Sequence, residues 1–219
     1  MAELYGKIVL PGEEIEKNNY TYKFQDKTIS KKVLLVSQDE KRSKVIPLSE
    51  VYYPNVGDKI IGIVKEVEAS GWFVDINSIN YAFLPIAEAV KEFIDIYRTD
   101  LSKILDVDTV IHGRVINVMK NKIVQISIKD EKPNKLIGGG VIKVNPAKVA
   151  RIIGKNMSMV KLISEKTNSK ILVGKNGYIW INAKDADSLI KAINAIKFVE
   201  RNAHLKGLTE LVSNYLEKL

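Results

Sequence analysis

The chain has 219 residues, of which 46% are hydrophobic, and its 34 Lys plus Arg exceed its 26 Asp plus Glu, for a formal net charge of +8. This length accommodates two or three small domains; no apolar stretch reaches the ~18 residues that span a bilayer and the opening segment lacks a signal-peptide pattern, which together predict a soluble, cytoplasmic protein. The absence of cysteine and the presence of only two histidines argue against disulfides, thiolate metal sites, cofactors and histidine-dependent catalysis.

Residues 1–53 predict a small antiparallel β-domain. Short β-branched and aromatic runs such as YTYKF and KKVLLVS alternate with turn chemistry, including Pro11-Gly12. Because so few large apolar side chains make a thin core, we expect a neighbouring domain or a partner chain to cover one face of this unit.

Residues 54–132 predict a five-stranded barrel of the OB type. The strand candidates are DKIIGIVKEV, GWFVDI, YAFLPI, DTVIHGRVINVM and KIVQISIK. The apolar spacing of residues 87–105 predicts one or two short helices between the third and fourth strands, where a Greek-key OB barrel carries its helical insertion.

Residues 133–140 are predicted to be a linker, because Pro133 and three consecutive glycines interrupt strand and helix alike. Residues 141–219 then follow the order β-α-α-β-β-α, with one additional helix at the C-terminus. Ser158 is expected to cap the second helix of this unit, and residues 174–177 are expected to turn a hairpin between its second and third strands.

The excess positive charge lies in this last unit. Residues 141–219 contain 14 Lys plus Arg and 6 Asp plus Glu, whereas residues 1–140 contain 20 of each sign. A concentrated basic region is expected for a polyanion partner such as RNA, because each cation near a phosphate releases a condensed counterion. On charge alone, a solvated lysine-rich surface is an equally good interpretation.

The tripeptide Gly-Lys-Asn occurs twice in the last unit, in a helix loop (154–157) and in a hairpin loop (174–177). The helix loop lies between two predicted helices and resembles the Gly-x-x-Gly loop of KH domains, which lets backbone approach nucleic-acid phosphates beside a helix N-terminus. Met157 replaces the second glycine, so a side chain occupies the space where backbone should meet phosphate. A plain turn is therefore favoured over a standard RNA clamp at this loop.

The hairpin loop retains both glycines. Its Asn-Gly pair is the strongest short hairpin signal, so a two-residue turn alone would explain it. The surrounding sequence VGKNGYIWI resembles the Gly-x-Asn-Gly motif and Ile-Trp strand found in exosome cap subunits of the ribosomal RNA processing protein four family. The resemblance gives as candidate RNA contacts in this unit Arg151, Gly154, Lys155, Asn156, Gly174, Lys175, Asn176 and Gly177.

The barrel sequence resembles the OB fold of the ribosomal-protein-S1 type, in segments such as SGWFVDI (70–76) and FLP (83–85). Such barrels stack the bases of single strands on aromatic side chains within a basic groove. Phe73 falls at a family stacking position, and its neighbour Trp72 must face the other side of the strand, so one of the two is expected to be core. The candidate RNA contacts in the barrel are Lys65, Trp72, Phe73, His112, Arg114, Lys120 and Lys122.

The N-terminal segment IVLPGEEI (8–15) resembles the opening motif of exosome cap subunits, with Glu13 in place of the common Asp. Together the resemblances imply an N-terminal β-domain, an S1-type barrel and a type I KH domain, in that order. They imply a non-catalytic RNA-binding cap subunit of an archaeal-type exosome that feeds single-stranded RNA to other subunits. Three copies would dock on a hexameric phosphorolytic ring through the N-terminal domain, including Pro11 and Gly12.

Two other functions are compatible with the sequence. A free-standing translation or transcription factor would use the same two modules to bind structured RNA. A scaffold would hold the ring together and contact RNA only incidentally. A nuclease centre is not expected, because the sequence has no clustered acidic motif with metal-ligand spacing.

Overall fold

The structure is a computed structural model that describes residues 7–39, 42–90, 99–119, 122–205 and 207–218. Lys120 and residues 91–98 of the predicted helical insertion lie outside the described residues. The predicted fold class is confirmed: an antiparallel β-unit, a closed barrel and a βααββα unit follow one another along the chain.

The N-terminal unit is built from two small groups of strands. The first, fourth and fifth strands form an antiparallel sheet in the order β1-β4-β5, and the second and third form a separate hairpin. Val9, Leu34 and Leu35 are buried, whereas Ile8 and Phe24 are exposed, so the core is as thin as expected. The strands are β1 (Lys7–Val9), β2 (Thr21–Phe24), β3 (Lys27–Ser30), β4 (Leu34–Asp39) and β5 (Arg42–Pro47).

Five strands close the barrel in the middle of the chain. They are β6 (Lys59–Glu68), β7 (Gly71–Asp75), β8 (Ala82–Pro85), β9 (Val110–Val118) and β10 (Val124–Ser127). Strand β10 pairs with β8 in parallel and with β9 antiparallel, which joins the two edges of the meander. The described parts of the insertion are a short helix, α1 (Ile86–Ala89), and a 3-10 turn at Leu101–Lys103.

The predicted linker contains a short strand. Strand β11 (Lys135–Leu136) pairs with β9, so this part of the connection lies along the barrel. Leu136 is buried there, which explains why a segment with turn residues on both sides still adopts an extended conformation.

The C-terminal unit has a three-stranded antiparallel sheet in the order β12-β14-β13, covered by helices. Helix α3 begins at Ser158, but its cap position is Met157, which makes no side-chain capping hydrogen bond, so the expected Ser158 cap is wrong. Asp185 does cap α4 by accepting a hydrogen bond from the Ser188 N–H. The elements are β12 (Gly140–Lys143), α2 (Val149–Ile153), α3 (Ser158–Thr167), β13 (Ser169–Val173), β14 (Tyr178–Ala183), α4 (Ala186–Arg201) and α5 (Leu208–Leu216).

The barrel and the C-terminal unit share a small apolar interface. Ile61 on β6 packs with Leu136 and with Tyr178 and Trp180 on β14. We call these four residues, together with the hairpin loop, the interdomain interface. Among the described helices, none combines the length and the apolar character that crossing a membrane requires.

Candidate nucleic-acid interface

The hairpin loop connects β13 to β14, as predicted. The Gly174 N–H donates to the Tyr178 carbonyl at 2.9 Å, and the Gly177 N–H donates to the Gly174 carbonyl at 3.1 Å. Three residues therefore lie between the paired positions 174 and 178, and Gly177 adopts a φ of +85°. This is the three-residue hairpin with a left-handed glycine, and it differs from the two-residue turn that Asn-Gly alone suggests.

Asn176 is the centre of the interdomain interface. Its side chain is completely buried, and its Nδ2 donates to the Ile61 carbonyl at 2.7 Å and to the Ile76 carbonyl at 2.9 Å. Its Oδ1 accepts from the Ile61 N–H at 3.3 Å. Because all of these partners belong to the barrel, the Asn176 side chain is unavailable to RNA in this arrangement and links the two units instead.

Charged and hydroxyl groups extend this link on either side of Asn176. Lys175 Nζ lies 2.6 Å from Oδ1 of Asp58, a buried carboxylate that also accepts from the Tyr52 hydroxyl at 3.0 Å. On the other side, the Tyr178 hydroxyl donates to Asp75 at 2.8 Å. Burial and the Asp58 charge raise the pKa of Tyr52, so its hydroxyl stays protonated and remains a donor.

The two glycines of the hairpin loop are required by this packing. A Cβ on Gly174 would lie 2.7 Å from the Ile61 backbone nitrogen. A Cβ on Gly177 would lie 2.5 Å from the Val144 carbonyl oxygen, and the positive φ at Gly177 also favours glycine. Contact with the barrel thus explains Gly174 and Asn176, whereas Gly177 is required by the backbone of the C-terminal unit itself and by its positive φ.

The helix loop has the opposite character. Gly154 ends α2 with a φ of +73°, and Asn156 and Met157 follow with left-handed φ values of 52° and 63°. Lys155, Asn156 and Met157 are all exposed, and Met157 retains 54% of its accessible surface. Met157 therefore keeps the backbone conformation of a glycine while presenting a long side chain to solvent.

Arg151 lies one turn before the helix loop and is partly engaged. Its Nε donates to the Ala203 carbonyl at 3.0 Å, and one terminal nitrogen lies 3.5 Å from the Leu205 carbonyl. These contacts orient the guanidinium against the α4–α5 connection. Arg151 is an exposed residue, and its N–H groups that make neither contact stay candidates for phosphate contact.

The two adjacent aromatic residues of the barrel have different surroundings. Trp72 is completely buried, and its indole N–H donates to the Leu105 carbonyl at 2.8 Å, so Trp72 belongs to the core. Phe73 faces outward and lies opposite Phe83 of β8, with ring centroids 5.4 Å apart. We call Phe73 and Phe83 the outer aromatic pair. Phe83 was not among the predicted contacts. Strand alternation in YAFLPI nevertheless places its side chain on the face of β8 opposite to the buried Leu84.

Three cationic candidates of the barrel already have acidic partners. Lys65 Nζ lies 2.8 Å from Asp108. Arg114 donates through two nitrogens to Oε1 of the buried Glu131, at 3.1 and 2.7 Å, and His112 Nε2 lies 3.9 Å from the same carboxylate. Lys65 and Arg114 thus form ion pairs with acidic residues of the chain, so they are not free to bind phosphate without losing a partner, whereas His112 only lies beside the Glu131 carboxylate.

The Glu131 cluster also determines how its members titrate. Burial lowers the pKa of His112 although the Glu131 charge opposes this shift. Burial opposes ionisation of Glu131, yet hydrogen bonds from Arg114 and Lys59 hold the pKa of its carboxyl below the usual value. At neutral pH the cluster therefore contains an ionised glutamate and an uncharged histidine.

Lys122 differs from these cations. It is exposed in the β9–β10 turn, and its ammonium has no ion-pair partner within the described ranges. Within those ranges there is also no group of three or more His, Asp or Glu side chains placed to hold a metal ion.

The predicted docking residues lie in an exposed turn of the N-terminal unit. Gly12 has a φ of +90°, and its N–H donates to the Ser30 carbonyl at 2.9 Å. Glu13 closes the turn through its carboxylate, which accepts from the Leu10 N–H at 2.9 Å. Pro11 and Gly12 thus lie at the tip of a rigid turn next to the exposed Leu10.

The chain resembles known proteins over nearly its whole length. It is 36% identical to the exosome complex component Rrp4 of Pyrococcus furiosus, with 96% of this chain and 82% of that protein covered. The chain belongs to the Rrp4 family. Its identity to the Rrp4 protein of Methanothermus fervidus is also 36%, over 95% of this chain and 94% of the relative.

Domain profiles and a solved structure agree with this membership. Residues 51–95 match the profile described as the Rrp4 S1 domain, and residues 139–187 match a KH domain profile. A crystal structure of a candidate exosome complex RNA-binding protein superimposes with a TM-score of 0.72 at 32% identity, covering 77% of this chain and 97% of the other. The outer aromatic pair therefore lies in the S1 barrel, and both Gly-Lys-Asn loops lie in the KH domain.

Proposed function

We propose that this Rrp4 family member is a non-catalytic RNA-binding subunit of an exosome, which binds single-stranded RNA and directs it to phosphorolytic subunits. The observation that carries the proposal is the similarity to Rrp4 proteins over 95% or more of the chain. This similarity extends through the N-terminal unit, the barrel and the C-terminal unit in a single alignment. In this proposal the protein is cytoplasmic, three copies sit on a hexameric ring, and the degrading active sites belong to the ring.

Two surfaces would contact RNA, the half-buried outer aromatic pair and the exposed helix loop. The outer aromatic pair offers ring faces to bases, and stacking of this kind tolerates any sequence because every base has a π-face. The helix loop offers Lys155, with Arg151 beside it, to phosphates. Neither surface is large, which suits a strand that must slide toward an active site and not be held at one point.

The interdomain interface would make these weak contacts cooperate. Because Asn176 and Lys175 tie the KH domain to the barrel, a strand held at the outer aromatic pair stays close to the KH domain. A second contact within one chain forms at a high effective concentration, so two weak sites give useful affinity.

The N-terminal unit would dock on the ring. Its exposed apolar side chains Ile8 and Leu10 flank the rigid turn at Pro11 and Gly12, and the thin core of the unit leaves one face to be covered. In this proposal, Leu10→Asp reduces co-purification with the ring subunits and leaves RNA binding by the free chain unchanged.

The test is RNA degradation by the reconstituted ring, with and without this chain. A Phe73→Ala/Phe83→Ala double variant should bind RNA roughly tenfold more weakly or worse, since each stacked base contributes ~1 to 3 kcal/mol. Its addition should then stimulate degradation less than addition of the unmodified chain.

The matched control is Phe24→Ala, which removes a phenyl ring that is more exposed than either ring of the pair, from the β2–β3 hairpin. It should leave RNA affinity unchanged. Failure of the unmodified chain to associate with any ring subunits would contradict the proposal, as would equal RNA binding by the double variant and the control.

A further inference from the structure

A small cavity opens at one end of the barrel. Its volume is about 150 Å³, which corresponds to roughly five water molecules. Drug-sized ligand pockets are larger, at ~300 Å³ and above, so this cavity suits a single planar ring system.

The walls of the cavity combine flat apolar surface with a few polar groups. Tyr53 and Pro54 form one side, and Ile79 of the β7–β8 loop and Val118 at the end of β9 contribute apolar surface. Tyr53 is 59% exposed, so its ring is open to a ligand. Ser78, Asn80 and Lys122 supply the hydroxyl, the amide and the ammonium at the opening.

Two walls of the cavity are held in place by the interdomain interface. The hydroxyl of Tyr52, which also lines the cavity, donates to Asp58, and Lys175 binds the same carboxylate. The β7–β8 loop is fixed by Asn77, whose Nδ2 donates to the Asn176 carbonyl at 2.6 Å. The cavity is therefore preformed, which lowers the entropic cost of binding.

Two polar side chains at this cavity have no partner among the described residues. Lys65, Arg114 and Lys175 all form ion pairs, whereas the Lys122 ammonium has no acidic partner within the described residues. The Asn80 amide likewise makes no hydrogen bond to other described residues, although its backbone carbonyl accepts from the Ser78 hydroxyl at 2.5 Å. These groups are complementary to a nucleotide. The free cation suits the phosphate, the free amide suits the base edge, and the exposed aromatic ring suits the base face.

We propose that this cavity is a nucleobase subsite for single-stranded RNA, with the base stacked on Tyr53, its edge at Asn80 and its phosphate at Lys122. The subsite rests on the proposed RNA-binding function and extends it beyond the outer aromatic pair. Tyr81 immediately precedes β8, two positions from Phe83, and is exposed. An RNA strand can therefore pass from Phe83 over Tyr81 into the cavity. Two positions along a strand span roughly 7 Å, a distance that one extended nucleotide bridges.

The test is RNA affinity of the full chain, measured by fluorescence anisotropy for Tyr53→Ala against two single-stranded oligonucleotides of equal length. One carries all of its bases and the other is abasic. Tyr53→Ala should weaken binding of the first about tenfold and leave binding of the second unchanged, whereas Tyr53→Phe should retain affinity because it keeps the ring. Lys122→Gln should reduce the magnitude of the slope of log K against log salt by about 0.7 for both oligonucleotides, the value for one phosphate contact to a single strand.

Matched controls are Phe24→Ala for the ring and Lys23→Gln for the charge, both exposed on β2. Equal weakening of both oligonucleotides by Tyr53→Ala would overturn the subsite, because the base would then not be what the cavity binds. The subsite would also be overturned if Tyr53→Ala kept its RNA affinity but no longer associated with the hexameric ring of exosome subunits. That result would assign the cavity to a protein partner.

The subsite and the proposed function fail in different ways. If Tyr53→Ala binds both oligonucleotides normally while Phe73→Ala/Phe83→Ala does not, the subsite is refuted and the RNA-binding function stands. If the unmodified chain binds neither oligonucleotide, both are refuted.

Discussion

The helix loop and the hairpin loop share the sequence Gly-Lys-Asn, yet they have opposite environments. Asn176 has no exposed surface and makes three hydrogen bonds to the barrel, whereas Asn156 is exposed on a left-handed backbone. Lys175 pairs with a buried carboxylate, whereas Lys155 is exposed with no ion pair among the described residues. The difference shows that a short motif acquires its role from the surface it faces.

The element after each loop accounts for part of this difference. The hairpin loop leads into β14, which carries Tyr178 and Trp180 against the barrel, so the loop is drawn into a dry interface. The helix loop leads into α3, whose buried residues Met159, Val160 and Ile163 face the core of the KH domain itself. The loop before α3 is left at the surface.

The largest effect is expected from Asn176→Ala. It leaves the N–H and carbonyl of Ile61 and the carbonyl of Ile76 without their partner at a buried site, which should destabilise the protein by about 3 kcal/mol. Urea unfolding followed by circular dichroism measures the loss. The matched control, Asn156→Ala, changes the same residue type in the helix loop and should cost less than about 1 kcal/mol; equal losses would erase the distinction between the loops.

A moderate gain of RNA affinity is expected from Met157→Gly. Glycine adopts the φ of 63° without steric penalty and removes the side chain from the surface that backbone would present to phosphate. RNA should bind several-fold more tightly, while the unfolding free energy should change by less than about 1 kcal/mol.

The control for this gain is Met157→Ala, which shortens the side chain but keeps a Cβ on the left-handed backbone. Its affinity should lie between those of the unmodified chain and Met157→Gly. No gain from either variant would mean that the helix loop does not contact RNA.

The smallest effect is expected from acidification. It should lower the stability of the fold first around His112, on the interdomain side of the barrel. His112 pairs across the sheet with Ile61, and burial lowers the pKa of His112 in the folded protein. The unfolded chain therefore binds a proton more readily than the folded one, so stability is lost as pH falls below the ordinary histidine value of ~6.5. Glu131, whose folded pKa is lowered, adds a further loss once pH falls below its unfolded value.

Thermal unfolding between pH 7.5 and pH 5 measures the histidine part of this dependence. His112→Gln removes the titrating group and should flatten the profile in that range. His204→Gln is the matched control, because His204 is exposed in the α4–α5 connection, and it should keep the profile of the unmodified chain. An unflattened profile for His112→Gln would contradict the assignment.

The fold was largely predictable because the local signals are strong. Strand alternation, turn residues and the β-α-α-β-β-α order predicted the barrel and the KH unit, and both are present. The short strand at Lys135–Leu136 was not predicted. It depends on a tertiary contact, its pairing with β9, and two residues between turn signals are too few to show a strand pattern in the sequence.

The candidate site was less predictable, because sequence does not show which side chains are already paired. Adjacent positions 72 and 73 must face opposite ways, but only the structure assigns Trp72 to the core and Phe73 to the surface. Lys65 and Arg114 have the right charge, yet their partners Asp108 and Glu131 are distant in sequence. The outward orientation of Phe83 could have been predicted from strand alternation. The cavity beside Tyr53 could not, because three segments that are separate in the sequence form it.

The difference between the loops is tested most directly by the salt dependence of RNA binding in two matched variants, Lys155→Gln and Lys175→Gln. Each removes one positive charge from a Gly-Lys-Asn sequence. If only the helix loop meets phosphate, Lys155→Gln lowers the magnitude of the slope of log K against log salt by about 0.7, and Lys175→Gln leaves that slope unchanged. A reduced slope for Lys175→Gln together with an unchanged slope for Lys155→Gln would contradict the assignment of the two loops.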